Sequence, residues 1–172
     1  SEGFSPHPKQ VFALPLSVGM VGENELCDIT LTEDFTHNEI KTRLQRAFTS
    51  EIEIKEVYEP DVKMGKVKSA KYELIFENTK FTKNELLEAL SNLSPVIKKT
   101  KSGNEKELDL NSMVYAFDVK QNDGKTTLSL ELASSGESYL NPELVLVSLA
   151  NMGIALTEEY DIKRTEIIFL TK

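Results

Sequence analysis

The sequence predicts an α+β fold. Three observations lead to it: strand-like alternation recurs along most of the chain, three helical stretches sit singly among those strands, and each helix opens with its own capping residues. Strands mixed with isolated helices argue for helices layered on one face of mainly antiparallel sheets.

Residues 1–9, SEGFSPHPK, form an extended opening segment, because a residue before proline is pushed out of the helical region. Residues 10–18 (QVFALPLSV) and 25–32 (ELCDITLT) read as strands around the turn-rich Gly19–Asn24. In the second, Leu26, Asp28 and Thr30 alternate with Cys27, Ile29 and Leu31, which places Cys27 on an apolar face as a buried, inert thiol. Thr36-His37-Asn38-Glu39 has the spacing of a capping box, and Ile40, Leu44, Ala47 and Phe48 form one apolar helical face behind it. A strand is expected over 51–58. Pro60 to Lys66 then reads as a linker, and the change of composition there is the best domain boundary in the chain.

The second segment restarts with a strand at 67–77, where Tyr72, Leu74 and Phe76 share a face. Thr82-Lys83-Asn84-Glu85 is another capping box, followed by the stripe Leu86, Leu87, Leu90 and Leu93. Pro95 blocks further helix. A short strand near 95–99 leads into a polar loop at 100–106. Strands at 112–120 and 126–133 make a hairpin over Gln121–Lys125, with Asp123-Gly124 as the turn signal. Asn141-Pro142 starts the third helix as N-cap and first residue, and Gly153 ends it. Because Leu144 to Val147 and Leu149 are apolar nearly all round, this helix is expected to be well buried. A last strand spans about 160–170.

The order is thus β-β-α-β, then β-α-β-β-β-α-β. Residues 67–172 contain the β-α-β-β-α-β run of a ferredoxin-like α/β sandwich, with one extra strand. Residues 1–62 match the end of the same motif, as a partial module carrying the SEGFSPHPK segment. The expectation is two ferredoxin-like modules with mainly antiparallel sheets, the first lacking its opening strand and helix; the chain begins with Ser rather than Met.

Composition narrows the function classes. The 172 residues carry 28 acidic and 20 basic side chains, a formal charge of -8. The balance is -5 over residues 1–66 and -3 over residues 67–172, so neither half has the basic excess that supplies affinity for phosphate backbones. The densest basic stretch, Lys98, Lys99, Lys101 and Lys106, is interrupted by Glu105 and Glu107 and reads as a solvated loop. One cysteine rules out disulfide scaffolds, Cys-rich zinc sites and a chain-internal iron–sulfur cluster. No apolar run approaches the ~20 residues that span a bilayer, and nothing resembles a signal peptide. A cytoplasmic protein is expected, with no membrane partner.

Catalytic constellations are scarce. Two histidines and one cysteine do not outline a triad, although carboxylates could complete a metal site. His37 reads as an exposed residue at a helix start. His7, held between Pro6 and Pro8, is either a rigid surface turn or a preorganised imidazole for a ligand or partner. Glu23, Glu25 and Asp28 form an acidic group that reads as a solvated edge. No dinucleotide fingerprint or P-loop is present, and Ser134-Ser135-Gly136-Glu137-Ser138 reads as a connector.

The run Ser1 to Lys9, then Phe12-Ala13-Leu14-Pro15-Leu16, Gly19, Glu25 and Asp28 resembles the radical SAM-linked domain family, whose function is unknown. The resemblance extends along the chain and is most specific in its first 30 residues. Where members commonly show Gly-x-x-Ser, this chain has Gly19-Met20-Val21-Gly22, which removes a hydroxyl at Gly22. Members occur beside, or fused to, radical S-adenosylmethionine proteins, and their genes often lie near an RNase of the E/G type and ribosomal-protein genes. The resemblance implies a non-catalytic accessory domain, without a cofactor or metal of its own. It would dock a radical SAM enzyme or present its substrate, in RNA or translation-related modification. Phe4, His7, Lys9, Glu25 and Asp28 would line the binding surface, none of them catalytic. The alternative is an RNA-processing or RNA-modifying enzyme with His7 as general acid or base. In a third reading the opening motif only shapes a loop. Net charge weighs against RNA as a direct partner.

Overall fold

A computed structural model of the protein describes residues 9–99, 103, 105–156 and 159–170. The strands are β1 (Gln10–Phe12), β2 (Met20–Gly22), β3 (Cys27–Ile29), β4 (Val67–Glu77), β5 (Val96–Lys99), β6 (Glu105–Leu108), β7 (Val114–Asn122), β8 (Lys125–Ala133) and β9 (Tyr160–Phe169). The helices are α1 (His37–Ala47), α2 (Lys83–Ser91) and α3 (Pro142–Asn151). The α+β class holds, with one five-stranded mixed sheet and two small hairpins. Among the described residues no helix is long and apolar enough to cross a membrane. The chain divides into two compact units: the described residues of Ser1–Phe12 with Cys27–Met64, and those of Ala13–Leu26 with Gly65–Lys172.

In the first unit β1 and β3 pair antiparallel, with Val11 opposite Asp28. The α1 capping box is complete: the Glu39 amide donates to the Thr36 hydroxyl, and the Thr36 amide donates to the Glu39 carboxylate. No strand forms over 51–58, although Glu-Ile alternation predicts one. Side chains of α1 occupy its backbone groups instead: Gln45 donates to the Ile52 carbonyl and accepts from the Ile54 amide, and Lys41 donates to the Lys55 carbonyl. Cys27 is exposed rather than buried, because a two-stranded ribbon supplies no second layer over it. Partial desolvation pushes its thiol up, which keeps it a poor nucleophile. No described residue of this unit is buried.

In the second unit the sheet order is β2-β9-β4-β8-β7. β2 runs parallel to β9; the other neighbours are antiparallel. Period-2 alternation turns Ala70, Tyr72, Leu74 and Phe76 of β4 to one face, beside Leu128, Leu130 and Leu132 of β8. Leu86, Ala89 and Leu90 of α2 and Val145 and Leu149 of α3 cover that same face. The β7–β8 hairpin closes on two residues, Asp123 and Gly124, at φ 50° and 77°, the left-handed pair of a type I′ turn. The strands therefore run closer to the turn than the five-residue loop expected. β6 forms where a polar loop was expected, pairing with β5 so that Lys98 faces Lys106; Lys101 lies outside the described residues. At the end of α3, Gly153 takes φ 84° and the Ile154 amide donates back to the Leu149 carbonyl, as its C-cap reading requires. The helix is less buried than its composition suggests: Val147 is exposed.

The α2 box repeats the geometry of α1, with Glu85 and Thr82 bonding reciprocally. The Thr82 bonds hold the Glu85 carboxyl below its ordinary value of 4.5. A carboxyl lowered in the folded state stabilises it above the unfolded value and loses that effect as pH falls through the folded one. Thr82→Ala should reduce stability by about 1 kcal/mol at neutral pH. In denaturant titrations the difference from wild type should narrow in acid, as pH falls through the lowered value and Glu85 protonates. A difference independent of pH would show that the reciprocal bond contributes nothing.

Candidate functional site

β9 carries a residue that breaks its pattern. Alternation from Ile162 brings position 164 to the covered face opposite Tyr72, where an apolar side chain belongs; the residue is Arg164, with 1% of its surface exposed. A buried guanidinium persists only where partners replace its hydration. Those partners come from residues 13–26, which wrap against β9.

Arg164 Nε donates to Glu25 Oε1 at 2.8 Å, and Nη2 donates to Glu25 Oε2, a bidentate pair. Nη1 donates to the Pro15 carbonyl at 3.0 Å and Nη2 to the Leu14 carbonyl at 3.1 Å. Burial disfavours the charge, but the bonds to Glu25 and its opposite charge outweigh it and raise the Arg164 pKa. The same segment is stitched to the β9 backbone. The Glu23 amide donates to the Arg164 carbonyl at 2.9 Å, and Asn24 Nδ2 donates to the Thr165 carbonyl at 2.8 Å. Glu23 and Lys163 pair at 2.8 Å. The Tyr72 hydroxyl is buried without a hydrogen-bond partner among the described residues. Burial pushes that phenol up, the nearby Tyr139 adds to the effect, and Arg164 and Ser134 oppose it.

Two glycines permit this wrap. Gly19, at φ 85°, is the third residue of the turn in which the Met20 amide bonds the Ser17 carbonyl. At Gly22 a Cβ would lie 2.6 Å from both Cγ and Oε1 of Glu25. Gly22 is therefore the space in which the Glu25 carboxylate turns toward Arg164.

Of the residues proposed from sequence, the described ones fall in different units. Phe4 and His7 lie outside the described residues. Lys9 is exposed immediately before β1, and its carbonyl accepts from the Thr30 amide. Asp28 lies in β3, half-buried, in the first unit. Glu25 belongs to the second unit, where its carboxylate is committed to Arg164. Glu23 and Glu25 bind different cations of β9, Lys163 and Arg164. Among the described residues no three His, Cys, Asp or Glu side chains gather as a metal site. His37 is exposed, as expected, with its Nε2 3.4 Å from Glu59.

Arg164 escaped the sequence reading of the site, and Gly22 was noted there only for a missing hydroxyl. The signal for Arg164 was an arginine on the apolar parity of a strand; its partner 139 residues earlier in the chain left no local trace. The guanidinium spends four of its five N–H donors on Glu25 and two carbonyls, so it anchors the 13–26 segment.

No curated protein and no solved structure matches the chain. The family match ends at residue 142, short of the full-length resemblance expected. Over residues 1–142 the chain matches a family described as uncharacterized proteins conserved in bacteria (DUF2344), and it belongs to that family.

Proposed function

We propose that the protein is a non-catalytic accessory protein whose first unit docks another polypeptide. The observation that supports this is the unit's surface. None of its described residues is buried, while Val11, Phe12, Leu31, Phe48, Ile52 and Tyr58 are exposed. A unit of this size ordinarily buries more than half of its unfolded surface. A partner laid over these side chains would supply the missing burial. The chain's charge of -8 favours a protein partner over a phosphate backbone.

Resemblance of the opening motif to the radical SAM-linked family supports a radical SAM enzyme as that partner. This chain would hold that enzyme or present its substrate, in RNA or translation-related modification. Lys9 and Asp28 offer charges beside the exposed apolar residues in sequence, and Phe4 and His7 precede them. Glu25 acts by anchoring its own segment. The order β9-β4-β8-β7, with α2 and α3 on one face, supports a ferredoxin-like second unit with β5–β6 inserted. The partial ferredoxin-like first module expected from sequence loses its closing strand, because 51–58 stays irregular.

Binding of the chain to the candidate radical SAM protein tests this reading. Phe12→Ser should weaken binding about tenfold, as removal of an aromatic anchor does. Lys9→Ala should weaken it less and mainly at low salt. Absence of binding by the unsubstituted chain would overturn the proposal. It would bring forward the RNA-enzyme reading, tested by loss of RNA-directed activity in His7→Ala.

A further inference from the structure

β7 is the outer strand of the five-stranded sheet and, among the described residues, has no neighbour beyond it. It is nine residues long, against an average strand of about 5–6, and all but two of its residues are exposed. A long open edge is normally blunted by proline, a bulge or an inward charge. From Ala116 to Asn122 none of these occurs; the only register shift lies before Ala116. The charges present are Asp118 and Lys120, both exposed and both opposite β8 residues of the uncovered face, Ser129 and Thr127.

Backbone direction follows from the turn. The two-residue I′ loop makes Asn122 and Lys125 a hydrogen-bonded pair, and such pairs alternate along an antiparallel ladder. Phe117, Val119 and Gln121 therefore direct their amides and carbonyls away from β8. We propose that β7 pairs antiparallel with β7 of a second copy of this chain, on a two-fold axis at Val119. In that register Val119 exchanges both backbone bonds with Val119 of the second copy, and Phe117 does so with Gln121. Asp118 then stands opposite Lys120 of the second copy, and Lys120 opposite its Asp118. These are the closely spaced, non-hydrogen-bonded positions at which cross-strand side chains interact most directly. The self-complementary charges select a second copy in this register over other strands. Lys83, 3.9 Å from Asp118 and half-exposed, is too loosely held to prevent the exchange. This inference is independent of the docking surface on the first unit.

Sedimentation equilibrium of the 172-residue chain at low salt, up to ~100 µM, should show a reversible dimer. Asp118→Lys alone, and Lys120→Asp alone, each turn two attractive contacts into two repulsive ones and should raise the dimer dissociation constant about tenfold or more. An equimolar mixture of the two variants should restore a dimer containing one of each, and the double exchange should restore the homodimer. Unchanged circular dichroism would establish that the variants are folded. A single-chain mass for the wild type throughout the range would overturn the proposal. So would single variants that dimerise as the wild type does, or a mixture that stays monomeric.

Discussion

Glu25→Ala is expected to lower the free energy of unfolding by about 3–5 kcal/mol, the usual effect of removing one member of a buried ion pair. The loss is not the strength of the pair itself. It is the desolvation of Arg164, which keeps 1% of its surface and would retain only the Leu14 and Pro15 carbonyls as partners. Urea titrations at neutral pH measure it directly. Replacing both members, Glu25→Leu with Arg164→Met, should recover part of the loss by removing the stranded charge. Full recovery is not expected, because the two carbonyls would then lack a donor. A change below 1 kcal/mol for Glu25→Ala would mean that solvent reaches Arg164 in solution and that the wrap is not a closed one.

Gly22→Ser is expected to destabilise by about 2–3 kcal/mol, for a steric reason with an electrostatic consequence. Its Cβ would lie 2.6 Å from Glu25 Cγ and Oε1, so the side chain must swing away, and swinging away breaks the bidentate pair. The two substitutions should therefore be strongly non-additive: on a Glu25→Ala background, Gly22→Ser should add little. Additive losses would show that Gly22 matters for a reason unconnected with Glu25. Any side chain at this position needs a different disposition of the Glu25 carboxylate.

The buried arginine also gives the 13–26 segment its place. Beside it, the three pairs of β2, the Glu23 amide, the Asn24 side chain and the Glu23–Lys163 ion pair hold the segment on β9.

Local chemistry alone determined much of the molecule. The capping boxes at Thr36 and Thr82, the Asn141-Pro142 start and the Gly153 stop act within a few residues, and each helix begins or ends where they place it. The strands at 67–77 and 126–133 were legible because one face is buried along their length, which writes period 2 into the sequence. Tertiary structure decided the rest. β2 lies in a stretch that reads as turn, because a three-residue strand has no pattern of its own and exists only by pairing with β9. Residues 51–58 carry strand alternation yet stay irregular, since a strand needs a neighbour and α1 side chains take those backbone groups first. Glu25 was recognisable as a residue of interest, but its role depends on an arginine 139 positions away. No spacing rule connects the two; only the folded sheet brings the charges together in a place dry enough for the pairing to matter.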